Sequence, residues 1–138
     1  MVLHARRGKE KEAASLAAKG KALRERMGLA DLERRDGTQV SGGQLQRAGI
    51  GRALMDDPEI IFGDEPTGAL NSKSTAEVME ILTKINGEGT AILLVTHDAT
   101  VAAYAHRVLF RRAGQIAGEY SFGKQEDAFD PRPEKLGF

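Results

Sequence analysis

The 138-residue sequence contains no cysteine and no tryptophan, and its aromatic residues are five phenylalanines and two tyrosines. The lack of cysteine excludes disulfides, thiolate catalysis and cysteine-ligated metal sites. The three histidines, His4, His97 and His106, do not have the spacing of a metal-binding set. No apolar run approaches the roughly 18 residues that a membrane-spanning helix needs, and no secretory apolar core follows Met1. We therefore expect a soluble chain that reaches a membrane only through a partner.

The charges of the chain balance, because twenty lysines and arginines face twenty aspartates and glutamates. A neutral chain has no overall field that favours nucleic acid, so we expect no nucleic-acid partner. The first 36 residues carry ten basic against six acidic side chains, which is typical of a solvated helical face. The length fits one domain with a hydrophobic core.

Four helices are predicted from apolar spacing and capping residues. They cover about 10–27, 42–55, 75–85 and 96–105. Gly28 is expected to end the first helix, and Ser41 to cap the second. Ser74 and Glu77 fit a capping box for the third helix, whose apolar residues recur at helical spacing.

Two short apolar runs, at 59–63 and 91–95, are typical of strands buried on both faces. Residues 107–112 and 115–120 predict a hairpin across Ala113 and Gly114. Alternating strands and helices with short links favour an α/β fold: a mostly parallel sheet with flanking helices and a C-terminal β-hairpin.

Ser41, Gly42, Gly43 and Gln44 open the second predicted helix. The first turn of a helix leaves backbone N–H groups unpaired, and the helix dipole adds partial positive charge there. Two glycines would let the backbone approach a phosphate, and the Ser41 hydroxyl could donate a further hydrogen bond. Taken alone, the segment fits an ordinary helix cap equally well.

Asp64 and Glu65 follow the first predicted strand, and His97 follows the second. Ligands of α/β sheets bind at the carboxyl ends of the strands, where Asp64 could hold Mg²⁺ through water. Glu65 could orient or deprotonate an attacking water. If the two strands are neighbours, His97 and Glu65 lie at the same sheet edge, within reach of one phosphate. The alternative is a pair of solvated carboxylates and a structural histidine.

The order and spacing of these segments resemble a known family, the ABC-type ATPases. Residues 40–47 resemble the family's signature motif, and residues 60–67 its Walker B strand with the catalytic glutamate. Residues 68–71 fall where the family has its D-loop, and His97 falls where it has the switch histidine. The resemblance runs from about residue 28 to residue 120, and it is most similar to exporters of the antimicrobial-peptide-resistance and lipoprotein-release kind.

In that family two nucleotide-binding domains pack head to tail around two ATP molecules. The resemblance implies that the signature residues contact the γ-phosphate of ATP held by the other subunit; they are Ser41, Gly42, Gly43 and Gln44. Asn71 stands in the D-loop where Asp is more usual, and it would also lie at the contact between subunits. Asn keeps the size of Asp and one acceptor oxygen.

Within its own subunit, the resemblance implies that Asp64 serves Mg²⁺, Glu65 polarises the hydrolytic water and His97 contacts the γ-phosphate. The implied partners are a second nucleotide-binding subunit, in a homodimer or heterodimer, and a separate transmembrane permease. Such a chain would be cytoplasmic and peripheral on the inner face of the cell membrane.

The resemblance divides the chain into three parts. Residues 1–57 correspond to a remnant of the helical subdomain with the signature motif, and 58–120 to the Walker B and switch-histidine part of the ATPase core. Residues 121–138 are expected to form a flexible tail. The fold expected from the resemblance is the C-terminal part of an ABC-type P-loop NTPase domain.

Two motifs of the family are missing. The Walker A loop has the form G-x-x-x-x-G-K-[ST], and the nearest candidate, at residues 20–22, has Ala22 where the magnesium ligand belongs. The first glutamine is Gln39, so no Q-loop glutamine precedes the signature at the family's spacing. We therefore expect a truncated ATP-hydrolysing subunit, with poor solubility and little activity in isolation.

Two other interpretations remain open at this stage. The chain could be a non-catalytic interaction module that supplies only a signature face to a complete partner ATPase. A chromosome-maintenance-type ATPase would instead need a long heptad coiled coil before the signature, for which residues 1–36 are too short and too poorly patterned.

Overall fold

The computed structural model describes residues 3–31 and 40–122, with side chains from residue 11 onward. The helices are α1 (Leu3–Arg26), α2 (Gly42–Ala53), α3 (Ser72–Gly87) and α4 (Ala99–Ala102), with a 3-10 turn at Leu54–Asp56 after α2. The strands are β1 (Ile60–Asp64), β2 (Ala91–Val95), β3 (Arg107–Arg112) and β4 (Gln115–Ser121). Of the predicted tail at 121–138, only Ser121, which ends β4, and Phe122 lie within the described residues.

The strands form two separate pairs. β1 and β2 are parallel, with α3 as the crossover between them, and Phe62 lies opposite Leu93. β3 and β4 are antiparallel and turn at Ala113 and Gly114, which both have positive φ angles. The predicted α/β fold, with a parallel sheet and a C-terminal hairpin, is confirmed.

The hydrophobic core lies where the helices meet the inner face of the parallel pair. Its buried members are Met27, Leu29, Ile50, Leu54, Ile61, Val78, Met79, Leu82, Ile85 and Val101. Helix α3 supplies four of them because its apolar residues recur every three or four positions and so share one face. Burial of each such side chain contributes roughly 1.5–3 kcal/mol, so α3 is held chiefly by packing.

Helix α1 begins at Leu3, seven residues before the predicted start. The added segment, residues 3–9, has no apolar periodicity, but it includes leucine, alanine, arginine and lysine, which are good helix formers. Gly28 ends the helix as predicted: it has a φ of +66°, and its N–H donates to the carbonyl of Glu25 at 3.0 Å. No helix in the described ranges is both long and apolar enough to cross a bilayer.

The prediction that both parallel strands are buried on both faces is wrong. Ile61 points into the core, whereas Ile60 and Phe62 on the opposite face are 44% and 70% exposed. Leu93 and Val95 of β2 are likewise about half exposed. Successive strand residues point to opposite faces, and the buried partners of these strands, from α3 and Val101, lie on one face only.

The predicted capping box of the third helix is also wrong. The side chain of Asn71 caps α3, because its Oδ1 accepts a hydrogen bond from the N–H of Ser74 at 2.9 Å. The helix therefore begins at Ser72, and Glu77 is free to pair with Arg47 of α2. Helix α4 is shorter than predicted, since Asp98 caps it and it ends at Ala102.

The exposed apolar face of the parallel pair generates the first prediction. Replacing Phe62 and Leu93 together with threonine keeps two strand-forming residues and removes most of this face, so self-association should fall. Sedimentation velocity over a range of concentrations measures it. The control is Ile61→Thr, whose side chain points inward and whose substitution should cost roughly 1.5–3 kcal/mol of stability. Unchanged self-association of the double variant would contradict the prediction.

Candidate functional site

Glu65 sits in an unusual backbone conformation at the end of β1. Its N–H donates to the carbonyl of Val95 at 2.8 Å, so it still belongs to the parallel ladder. Its φ is +46°, in the left-handed region that non-glycine residues rarely adopt. Such conformations cost about 1–3 kcal/mol and cluster at functional sites. The turn continues through Pro66, and the N–H of Gly68 donates back to the carbonyl of Glu65 at 3.2 Å.

The carboxylate of Glu65 binds the segment that follows β2. Its Oε1 accepts the backbone N–H of His97 at 3.0 Å and lies 2.7 Å from Nδ1 of the same residue. Its Oε2 accepts the hydroxyl of Thr96 at 3.3 Å. The structure thus brings together Glu65 and His97, which the sequence places 32 positions apart.

The contact between Glu65 and His97 shifts the pKa of both groups. The hydrogen bond from His97 lowers the pKa of the Glu65 carboxyl below its usual value, and the nearby imidazolium charge adds to this effect. The same hydrogen bond raises the pKa of His97 above its usual value. The His97 side chain is 86% exposed and that of Glu65 is 36% exposed, so water screens much of the interaction.

Glu65 and His97 border a cleft of about 230 Å³. Thr67, Thr75 and Thr100 also line it, together with other residues from the start of α3. The first two of these threonines are nearly buried, at 6% and 8% exposure. The cleft therefore offers a carboxylate, an imidazole and several hydroxyl groups to a polar ligand.

Asp64 is exposed at the carboxyl end of β1, where it lies opposite Val95. It does not line the cleft beside Glu65. In the described part of the chain, no group of three or more histidine, aspartate or glutamate side chains converges on a metal position. A single carboxylate suits Mg²⁺ that keeps most of its waters and binds phosphate oxygens, because Mg²⁺ dehydrates reluctantly.

The turn at Ser41 forms a complete capping box at the start of α2. Ser41 Oγ accepts the N–H of Gln44 at 3.3 Å, and Gln44 Oε1 accepts the N–H of Ser41 at 2.9 Å. The helical ladder begins at Leu45, whose N–H donates to the carbonyl of Ser41 at 3.0 Å. The N–H groups of Gly42 and Gly43 precede that ladder, and the Ser41 hydroxyl hydrogen remains available to a ligand.

The signature turn is separate from the cleft beside Glu65. None of Ser41, Gly42, Gly43 and Gln44 lines that cleft, and neither does Asn71. The turn packs instead on the segment that leads into α3, where a Cβ on Gly42 would lie 3.2 Å from Leu70 Cδ2. The described structure therefore has two distinct polar sites, with the cap at Asn71 between them.

The sequence reasoning missed Thr96 and Arg47. Thr96 binds the second oxygen of Glu65, and its hydroxyl also accepts the N–H of Asp98 at 3.0 Å. Its position just before His97, at the end of a strand, was the available signal. Arg47 lies one helical turn after Gly43 and pairs with Glu77 at 2.9 Å, a contact between helices that no local pattern indicates.

The chain is similar in sequence to known proteins. Residues 4–68 match the ABC transporter family. The chain is 47% identical over 116 residues to the macrolide export ATP-binding/permease protein MacB 1/2 of Paracoccus denitrificans, across 84% of this chain and 17% of that protein. It is 53% identical over 98 residues to the probable syringafactin export ATP-binding/permease protein SyfD of Pseudomonas syringae pv. syringae, across 70% and 15%.

Solved structures agree with the sequence matches. The dimeric structure of MJ0796, a bacterial ABC transporter cassette, matches 75% of this chain with a TM-score of 0.64 and 37% identity. The ADP conformation of MJ1267, an ATP-binding cassette of an ABC transporter, matches 78% with a TM-score of 0.73 and 26% identity. The chain spans under a fifth of the curated relatives, and the matches cover 46% and 43% of the two cassettes. The chain belongs to the ABC transporter family and corresponds to part of its nucleotide-binding domain.

Proposed function

We propose that the chain contributes to ATP binding and hydrolysis in an ABC transporter that exports its substrate. The observation that carries this proposal is the geometry at Glu65. A carboxylate held in a strained turn at the end of a parallel strand is bound to a histidine that follows the neighbouring strand. Family membership gives this pair its expected roles, with Glu65 at the attacking water and His97 at the γ-phosphate.

The hydrogen bonds at Glu65 leave room for a water molecule. A carboxylate offers about four acceptor positions, and the backbone and ring of His97 and the hydroxyl of Thr96 use three of them. The fourth, on Oε2, can orient a water for attack. With His97 in contact, the pKa of Glu65 is lowered, so the carboxylate is a weak base. Movement of the His97 ring to a γ-phosphate would remove that contact and strengthen the base.

Asp64 is the residue that would hold Mg²⁺ in this proposal, through water molecules. When bound, Mg²⁺ would neutralise phosphate oxygens of the nucleotide. Asp64 is exposed and does not line the cleft beside Glu65, so the two adjacent carboxylates would act on different parts of the same ATP.

The signature turn is proposed to act on a second ATP, held by another nucleotide-binding subunit. The separation of Ser41 and its neighbours from the cleft beside Glu65 supports this assignment. The N–H groups of Gly42 and Gly43 and the hydroxyl of Ser41 would donate to the γ-phosphate. Asn71, whose backbone begins α3 beside that turn, would lie at the contact between the subunits. The partner would be a second copy of this chain or a related cassette.

The membrane partner is proposed to be a permease, which would hold the chain at the inner face of the cell membrane. The relatives named above are called ATP-binding/permease proteins, so in them both functions belong to one named protein. A separate permease for this chain stays a prediction. The exported substrate would be chosen by the permease.

A second candidate function is favoured by the signature turn itself. Its capping box is complete, and none of its residues lines the cleft beside Glu65. Such a chain could act as a non-catalytic module that presents the signature turn to a complete partner ATPase. The two functions differ in whether Glu65 is needed.

The catalytic function predicts a large effect of Glu65→Gln. The chain should show no ATP hydrolysis alone, but should hydrolyse ATP when joined to a cassette segment that contains a Walker A loop. In that fusion Glu65→Gln should lower kcat by roughly 10²–10⁴-fold because the attacking water loses its carboxylate partner, whereas ATP binding should be retained. Steady-state turnover and nucleotide binding measure this. The control is Glu59→Gln, just before the opposite end of the same strand; equal activity of both variants would contradict the proposal.

The module function predicts complementation in trans. The chain should restore ATP hydrolysis to a complete cassette whose own signature motif has been inactivated. Gly42→Asp should abolish the restoration because it places a negative charge where the phosphate binds, whereas Gly49→Asp, on the exposed side of the same helix, should not. Glu65→Gln should have no effect in this assay. Complementation that survives Gly42→Asp would exclude this role.

The coupled titration of Glu65 and His97 gives a pH prediction. His97 has a raised pKa, so its contribution to stability is complete below about pH 6.5 and is lost as the pH rises through the raised value. Glu65 has a lowered pKa, so its contribution to stability is complete above about pH 4.5 and is lost as the pH falls through the lowered pKa. Glu65→Gln should therefore move the NMR titration midpoint of the His97 ring down, and Glu59→Gln should not. An unmoved midpoint would show that the pair is not formed in solution.

A further inference from the structure

The contact between helices α2 and α3 has no role in the function proposed above. At the first turn of α2, a Cβ on Gly43 would lie 3.0 Å from both Cβ and Oγ of Ser74, so the two backbones approach as closely as a glycine allows. Ser74 belongs to the first turn of α3, and its N–H is the donor that the Asn71 cap satisfies. The signature turn therefore rests directly on the cap of α3.

One helical turn further along, the same two helices form an ion pair. Arg47 Nη1 donates to Glu77 Oε2 at 2.9 Å. Arg47 lies four residues after Gly43, and Glu77 lies three residues after Ser74. The two contacts therefore lie one helical turn apart, on the facing sides of the two helices. The two helices thus begin together and run in the same direction, and two successive contacts fix their register.

The ion pair is poorly built for stability. The Arg47 side chain is only 17% exposed, and its Nε is buried with no hydrogen-bond partner among the described residues. Leaving a buried donor unpaired costs free energy that offsets the gain from the ion pair, and Glu77 is 41% exposed, which weakens that gain further. The ion pair therefore adds little to the overall free energy of unfolding, and its main effect is on the position of the two helices relative to each other.

We propose that Arg47 is a positioning residue: its ion pair with Glu77 and the contact of Gly43 with Ser74 hold the signature turn and the Asn71 turn as one rigid unit. The contact joins the turn that would bind the partner's ATP to the segment that follows Glu65. Its effect on ATP hydrolysis rests on the proposed function, whereas the rigid unit itself does not. A displacement of one turn would then displace the other.

Hydrogen exchange of the full chain tests the rigid unit without any nucleotide. The reporters are two N–H groups bound to the caps: Leu45, which donates to the carbonyl of Ser41, and Thr75, which donates to the carbonyl of Asn71. In Arg47→Met both should exchange about two- to tenfold faster and by the same factor, because loss of one charged hydrogen bond lets the two turns open together. The N–H of Glu65, in the strand ladder, should be unchanged.

The matched control is Arg26→Met, which removes the ion pair of Arg26 with Glu88 at the opposite end of α3. It should leave both cap reporters unchanged. Glu77→Gln, which is nearly isosteric and removes the same ion pair from its exposed side, should reproduce the pattern of Arg47→Met. Faster exchange at only one of the two caps would indicate a local structural role and overturn the proposal. Faster exchange at all reporters, including the N–H of Glu65, would indicate a general structural role and overturn it as well.

The trans complementation assay adds the functional arm. Arg47→Met should lower the restored ATPase rate by at least the factor by which it accelerates hydrogen exchange at the two cap reporters. Arg26→Met should leave the rate unchanged. If the wild-type chain restores no activity, the module function fails, but the exchange result still decides whether the turns form one unit. If exchange at both cap reporters accelerates by the same factor while the restored ATPase rate is unaffected, Arg47 does not position the signature turn for ATP.

Discussion

The hydrogen bond from the N–H of Glu65 to the carbonyl of Val95 is the interaction on which the candidate site depends. It continues the parallel pairing of β1 and β2 one residue beyond Asp64, and it keeps Glu65 level with the end of the neighbouring strand. At that point the chain turns left-handed, and the side chain meets Thr96 and His97. Without this last bond the chain would leave the sheet at Asp64, and the Glu65 carboxylate would not be held beside Thr96 and His97.

The helices position the second polar site, the signature turn, on the same hydrophobic core. Helix α3 packs its apolar face on the strands through Val78 and Leu82, and α2 packs on α3 through Gly43 and Arg47. The signature turn is thus attached to the sheet through α3 and through Leu70 of the segment that leads into this helix. This arrangement supports the proposal that the two sites act on different nucleotides.

Much of this site could be predicted from the sequence, because its signals are local. The Ser41 cap, the apolar spacing of α3 and the carboxylates after a short strand all lie within a few residues of one another, and the pairing of Glu65 with His97 followed from two neighbouring parallel strands. Burial could not be predicted in the same way. A strand such as Ile60–Asp64 has the same apolar pattern in the sequence whether one face or both faces are covered. The choice of Asn71 over Ser74 as the cap depends on how the turn after Glu65 enters the helix. The pairing of Arg47 with Glu77 depends on the register between two helices.

The left-handed backbone conformation of Glu65 means that selection for stable folding and selection for the carboxylate favour different residues at this position. Glycine would adopt the observed φ of +46° without strain, so selection for folding alone would favour it over glutamate. Glycine would also discard the carboxylate that binds Thr96 and His97. A population of variants screened only for abundance should therefore drift away from glutamate at this position, whereas one screened for ATP-driven export should keep it. A position whose backbone conformation favours glycine is thus the one to which we assign the catalytic carboxylate.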